Sequence, residues 1–132
     1  PDPSWGFEQS VPAEIEAADA APRALIVHHD LPTLERVRAL APELRYCLLP
    51  DGPDGFAYLD RAARAGFDVL QPGRSMMSAE FCRAVHDAEM TANVFYADDA
   101  DTMRRYIAWG IDGILTNRPC LLAEVLAEMA VD

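Results

Sequence analysis

The feature that most constrains this chain is a rhythm. Five short apolar runs recur: A-L-I-V-H-H over 24–29, L-R-Y-C-L-L over 44–49, F-D-V-L-Q over 67–71, A-N-V-F-Y-A over 92–97 and I-D-G-I-L over 111–115. Their starts lie 20, 23, 25 and 19 residues apart, and each interval holds one pattern of helical period. Leu31, Leu34, Val37 and Leu40 share a helix face, with Asp30 as N-cap and Pro32 in the first turn. Phe56, Leu59 and Ala63 repeat the pattern, closed by Gly66. Ser78 caps a helix carrying Phe81, Val85 and Ala88; Asp98 or Asp99 caps one carrying Met103, Tyr106 and Ile107, stopped by Gly110. A last helix follows Pro119 and carries Leu122, Val125, Leu126 and Met129. Such alternation predicts an α/β fold with a parallel sheet and crossover helices. A sequential right-handed order curls the sheet toward a barrel, whereas a doubly wound sheet reverses its order once. Periodicity alone leaves both open.

With 132 residues and 51% apolar side chains, the chain holds one domain's core, and its 25% charged residues argue against general disorder. The expected division is an N-terminal arm over 1–23 and a β/α domain over 24–132. Within the arm, 1–11 reads as irregular, with Trp5 and Phe7 as anchors; 13–20 reads as a short helix ended by Pro22. The formal net charge of −11 repels nucleic-acid backbones and anionic lipid surfaces. No run of apolar residues is long enough to span a membrane, and no signal peptide is visible, so the expected location is the cytoplasm. Cys47, Cys82 and Cys120 form no C-x-x-C pair and read as free thiols, not as a zinc site or a disulfide framework.

The last forty residues carry a more specific signal. Asn93-Val94-Phe95-Tyr96-Ala97-Asp98-Asp99 leads through Arg104 and Arg105 to Gly110-Ile111-Asp112-Gly113-Ile114-Leu115-Thr116-Asn117-Arg118-Pro119. This segment resembles the C-terminal signature of the glycerophosphodiester phosphodiesterase family, roughly V-N-V-W-T-V-N-D, a helix, then G-V-D-G-I-I-T-D-R-P. Upstream, 24–30 with Leu34, Arg38 and Pro42 is similar to that family's strand ending in S-F-D, and 67–72 to its A-D-G-V-N-P strand. The resemblance runs from about residue 24 to the end.

It implies a partial TIM-type β/α barrel, with five strand–helix units equivalent to the last five of eight. It also implies that the chemistry lies elsewhere. The H-R motif, the E-x-D pair, the second catalytic His and the E-x-K carboxylate belong to the first three units. There they hold a divalent cation, Mg²⁺ or Ca²⁺, and attack the phosphodiester; no cofactor site is expected within these 132 residues. The chain departs from the pattern at several positions. Phe95 stands for Trp, His28-His29 for Ser-Phe, Asp98 for Asn, and Asn117 for the Asp of T-D-R-P.

The residues themselves offer a small set of candidates. His28 and His29 end the first run, where barrels and doubly wound sheets keep their sites; only one of them can face a pocket, suited to acid/base work or to a phosphate, and the other reading is a hydrogen-bonded histidine at a strand end. Gln71, Phe95 and Tyr96 are placed to line a mouth, and Arg118 to pair with a phosphate oxygen. The expected substrate-binding set is therefore His28, Gln71, Phe95, Tyr96 and Arg118; catalytic residues are not identified. Asp98 and Asp99 either ligate a hard cation or cap the following helix. The loop 71–77 reads as a mobile cover, and His86 as a surface residue.

Five parallel strands leave two open edges and an apolar inner face that needs covering. The expected cover is a second copy, the N-terminal arm or a missing N-terminal barrel portion, with self-association favoured. Two functions follow. The first is a phosphodiesterase-like domain of glycerophosphodiester or lipid metabolism, inactive as this isolated chain and binding a small phosphodiester once completed. The second is a non-catalytic binding or oligomerisation module derived from the same barrel.

Overall fold

In a computed structural model that describes residues 6–130, the five runs become five strands. They are β1 (Leu25–His28), β2 (Arg45–Leu48), β3 (Val69–Leu70), β4 (Thr91–Phe95) and β5 (Gly113–Leu115). All neighbouring pairs are parallel and the order is β1-β2-β3-β4-β5, so the strand order never reverses. That rules out the doubly wound arrangement and gives the open, partial β/α barrel.

The helices are α1 (Phe7–Ala17), α2 (Leu31–Leu40), α3 (Gly55–Arg64), α4 (Ala79–Asp87), α5 (Ala100–Ala108) and α6 (Pro119–Met129). Side-chain caps start the central ones: Asp30 accepts from Thr33 N–H at 2.9 Å, Ser78 from Phe81 N–H at 3.0 Å and Asp99 from Thr102 N–H at 2.8 Å. Asp99, not Asp98, is therefore the cap of α5. Gly66 and Gly110 end α3 and α5 at φ 71° and 86°, where any side chain is strained. No helix among the described residues is long and apolar enough to cross a membrane.

Two stretches differ from the sequence expectation. α1 begins at Phe7 and continues through Pro12, where an irregular arm is expected up to residue 11. Proline removes an intrahelical N–H, so local propensity argues against a helix there. Packing overrides it: Arg36 of α2 pairs with Glu8 at 2.7 Å, and Ile15 packs beside the cluster of Leu34 and Val37. Trp5 lies outside the described residues. The second stretch is the loop after β3, expected to be a mobile cover. It contains a 3₁₀ turn, Arg74–Met76, and buries Pro72, Met76 and Met77. The Phe95 N–H bonds the Pro72 carbonyl at 2.9 Å, so the loop is stitched to β4.

The core lies between the sheet and its helices. Tyr46 and Leu48 pack with Leu34, Val37 and Phe67 at one end, and Leu70, Ala92 and Val94 with Phe81, Val85, Met103 and Val125 at the other. Alternation then turns Val27, Cys47, Val69, Asn93, Phe95 and Leu115 to the opposite, concave face. Cys47 and Val69 are buried there, but Val27, Phe95 and Leu115 are 37%, 52% and 38% exposed. The sheet's inner face is thus open to water at both ends.

Candidate functional site

The carboxyl ends of the strands form the mouth of the open barrel. There a cleft of about 580 Å³ is lined by Phe95, Tyr96, Leu115, Thr116 and Asn117. The last residue of β4 with Tyr96 after it, and the last residue of β5 with the two residues after it, supply all of it. Phe95 and Tyr96 meet edge to face with ring centroids 5.4 Å apart. The Arg74 guanidinium stands 5.6 Å from the Tyr96 ring centre, within cation–π reach.

A carboxylate fixes the floor of this cleft. Asp98 accepts from Thr116 Oγ1 at 2.9 Å, from Asn117 N–H at 2.8 Å and from Asn117 Nδ2 at 2.8 Å. Thr116 Oγ1 in turn accepts from Arg118 N–H at 2.9 Å. The Ala97 N–H bonds the Leu115 carbonyl at 3.1 Å, continuing the β4–β5 ladder into the loops. The Asn117 side chain, and then its backbone N–H, hold the Asp98 carboxyl below its ordinary value. Asp99 is also lowered, chiefly by the Thr102 backbone N–H that it caps. Charge-assisted hydrogen bonds thus cross between the two loops.

The structure brings together Phe95 and Tyr96 but not the whole expected set. His28 ends β1, three strands from β4 in the sheet order, and does not line the cleft. Its Nδ1 accepts from Asp30 N–H at 3.0 Å, which commits that nitrogen to the start of α2. The His28 and His29 rings stack at 4.5 Å, because β1 ends at His28 and His29 no longer follows strand alternation. Gln71 N–H donates to Tyr58 Oη at 2.9 Å. Arg118 lines a neighbouring depression with Pro119, Cys120 and Glu124. Sequence reasoning missed Leu115, Thr116 and Asn117 as wall residues. Their place directly after a strand, facing the aromatic pair one strand over, is the signal that would have found them. His86, expected at the surface, is exposed there, and its Nε2 lies 3.1 Å from Asp112 Oδ2, which ties α4 to the approach of β5.

Among the described residues no group of three or more His, Cys, Asp or Glu side chains is gathered to hold a metal ion. Asp98 uses both oxygens in the loop clamp, and Asp99 uses Oδ1 to cap α5.

No family model matches the sequence. No curated protein matches it either. Solved structures do match in fold. A Silicibacter pomeroyi DSS-3 protein named as a glycerophosphoryl diester phosphodiesterase superposes with a TM-score of 0.84 at 24% identity, over 94% of this chain and 44% of its own. A glycerophosphodiester phosphodiesterase from Parabacteroides distasonis gives 0.78 at 19%, over 93% and 51%. An Oleispira antarctica phosphodiesterase, in complex with the product sn-glycerol-3-phosphate, gives 0.75 at 16%, over 92% and 51%. The chain spans about half the length of each of these structures. It therefore has the fold of about half of a glycerophosphodiester phosphodiesterase barrel, built from five consecutive parallel β/α units.

Proposed function

We propose that this chain forms the alcohol-side wall of a glycerophosphodiester phosphodiesterase-like site and is inactive until the rest of the barrel is added. The observation that carries this reading is the cleft of Phe95, Tyr96, Leu115, Thr116 and Asn117 at the carboxyl ends of parallel strands, where β/α barrels work. Its walls are apolar and aromatic and its rim has hydroxyl and amide groups. That combination suits a small alcohol leaving group, with aromatic faces for the carbon skeleton and the Asn117 side-chain oxygen to accept from a hydroxyl. Arg118, beside the cleft at the start of α6, is available to a phosphate oxygen. The cation, Mg²⁺ or Ca²⁺, and the acid/base groups would come from the remaining units. The ligand is then a small phosphodiester of glycerophosphodiester or lipid metabolism. The free thiols Cys47, Cys82 and Cys120 fit a reducing compartment such as the cytoplasm.

The second reading is a binding or oligomerisation module without catalysis. It is favoured by Asp98 and Asp99 being committed to structure. A hydrolysis assay on glycerophosphodiesters with Mg²⁺ or Ca²⁺ separates the two. The isolated chain is expected to give no turnover. A chimera carrying the complementary part of the Silicibacter pomeroyi barrel is expected to hydrolyse the diester, with KM raised by Phe95→Ala or Tyr96→Ala. A folded but inactive chimera would favour the module. Turnover by the isolated chain, lost in His28→Ala, would overturn the inactivity and move the chemistry to β1.

A further inference from the structure

We propose that Arg74 makes the cleft selective for an alcohol that carries its own anionic group, a carboxylate or a phosphate, and turns trimethylammonium alcohols away. This deepens the reading of the cleft as an alcohol site and rests on it.

The aromatic pair Phe95–Tyr96 at a strand end would by itself suit a quaternary ammonium, which binds over ring faces. Here a cation already stands at one of the two rings. The Arg74 guanidinium lies 5.6 Å from the Tyr96 ring centre. A second cation brought to that ring meets a like charge, whereas an anion meets a charged donor.

The backbone sets Arg74 in this place. Gly73 pairs with Phe95 in a parallel bridge beyond the end of β3, so the next residue starts directly beside the end of β4. The turn that follows is anchored on both sides. The Phe95 N–H bonds the Pro72 carbonyl at 2.9 Å, the Met76 N–H bonds the Gly73 carbonyl at 3.0 Å, and Met76 and Met77 are buried.

The guanidinium keeps its donors for a ligand. Arg61, Arg64 and Arg104 each hold a carboxylate, and Arg38 holds the Ala65 and Gly66 carbonyls. Arg74 is exposed, and among the described residues its guanidinium has no hydrogen-bond or ion-pair partner. Asp99 caps α5 through Oδ1 and forms no ion pair with it. A planar fork set against a ring still presents its N–H groups to a carboxylate or phosphate.

Strand order then gives the ligand its length. Arg74 follows β3, Phe95 and Tyr96 close β4, and Arg118 follows β5, so the two arginines flank the aromatic pair. Two strand spacings amount to about 10 Å. That span suits a small phosphodiester with its scissile phosphate toward Arg118 and the far, anionic end of its alcohol toward Arg74.

The test titrates the full 132-residue chain with glycerate, glycerol and choline, small alcohols of different charge, and follows the signals of Arg74 and of Phe95 to Asn117 by NMR. Glycerate is expected to bind tightest, by about tenfold over choline, with glycerol between them. Arg74→Ala should weaken glycerate by about tenfold, leave glycerol within about twofold and strengthen choline. Arg74→Lys should keep part of the glycerate preference and still oppose choline. The ranking in the unaltered chain decides whether or not a variant folds. Choline binding as tightly as glycerate would overturn the inference and leave the cleft standing as an alcohol site. So would Arg74→Ala weakening all three alike. Binding of none of the three at the cleft up to about 0.1 M would sink the reading of the cleft together with the inference.

Discussion

The side-chain amide of Asn117 donates to the Asp98 carboxylate at 2.8 Å, joining the loop after β4 to the loop after β5. The glycerophosphodiester phosphodiesterase pattern has Asn at the first of these positions and Asp at the second. Two departures that look independent in the sequence are one reciprocal exchange. In this chain the pair is hydrogen-bonded with the carboxylate on the loop after β4. The expected behaviour of a swap series follows. Asn117→Asp sets two carboxylates against each other and lowers the melting temperature. Asp98→Asn removes the charge from three hydrogen bonds and lowers it less. The double variant regains most of the loss. A double-mutant cycle by thermal denaturation checks this, and additive losses would show that the pair is not coupled.

Three carboxylates give stability a defined acid dependence. Asp30, Asp98 and Asp99 all sit below the ordinary carboxylate value: Asp30 through the Thr33 hydroxyl, Asp98 through the Asn117 amide, Asp99 through the Thr102 N–H. A folded-state value below the unfolded one means the unfolded chain binds protons first as acid is added. Their contribution is therefore complete above the unfolded value of about 3.9 and is lost as pH falls through the lower folded values. Urea midpoints from pH 6 to pH 2.5 should stay level and then drop in the acid range (pH on the order of 4 and below). Asp99→Asn should flatten that drop while lowering the neutral midpoint.

The alternating runs carried the architecture because each is short, branched and followed by a capped helical pattern. Sheet order came from the sequential, right-handed rule together with the closing Gly110–Pro119 segment. What stayed hidden depends on distance in the chain. Helix α1 runs through Pro12 only because Arg36 and the Leu34 cluster lie across from it. Loop 71–77 has a flexible composition but buries Met76 and Met77 against the core. The cleft was half legible. The aromatic pair Phe95–Tyr96 stands out at a strand end, whereas Leu115, Thr116 and Asn117 join it only through β4–β5 register. His28 was a reasonable candidate from its position, but its Nδ1 is taken up by the Asp30 N–H, a local turn that composition does not reveal.

Gly113 tests that register. It is paired with Asn93, and a Cβ at Gly113 would run into the Asn93 side-chain oxygen. Gly113→Ala is expected to cost about 1–3 kcal/mol by overpacking. The clash is with a side chain, so Asn93→Ala in the same chain should recover most of it. Urea denaturation of the single and double variants decides; an unrecovered loss would place the strain in the backbone.

The three cysteines should separate in reactivity. Burial pushes the Cys47 thiol up to about 11, and Cys82 is also raised by burial, whereas Cys120 is exposed at the start of α6. The thiolate is the reactive form, so one thiol should react rapidly with an aromatic disulfide reagent at neutral pH and all three in denaturant. Cys120→Ser should remove the fast phase.

The last prediction concerns the hydroxyl of Tyr58, which closes the mouth end of the sheet from the helix side. It donates to the Leu48 carbonyl at the end of β2 and accepts from the Gln71 N–H just past β3 at 2.9 Å. The two strands share only two register pairs, so this side chain replaces the backbone rung that their splaying ends leave out. Tyr58 is 2% exposed, and burial raises its pKa, which keeps the hydroxyl protonated and able to donate. Tyr58→Phe keeps the ring but takes a donor from the buried Leu48 carbonyl, which keeps the Cys47 thiol, and the acceptor from the part-buried Gln71 N–H. The expected loss is about 1–3 kcal/mol in urea denaturation. Hydrogen exchange should speed up at Gln71, whose N–H loses its acceptor, while the β4–β5 amides keep their rates. Equal acceleration across all five strands would mean that the hydroxyl acts on global stability alone and not as a local rung between β2 and β3.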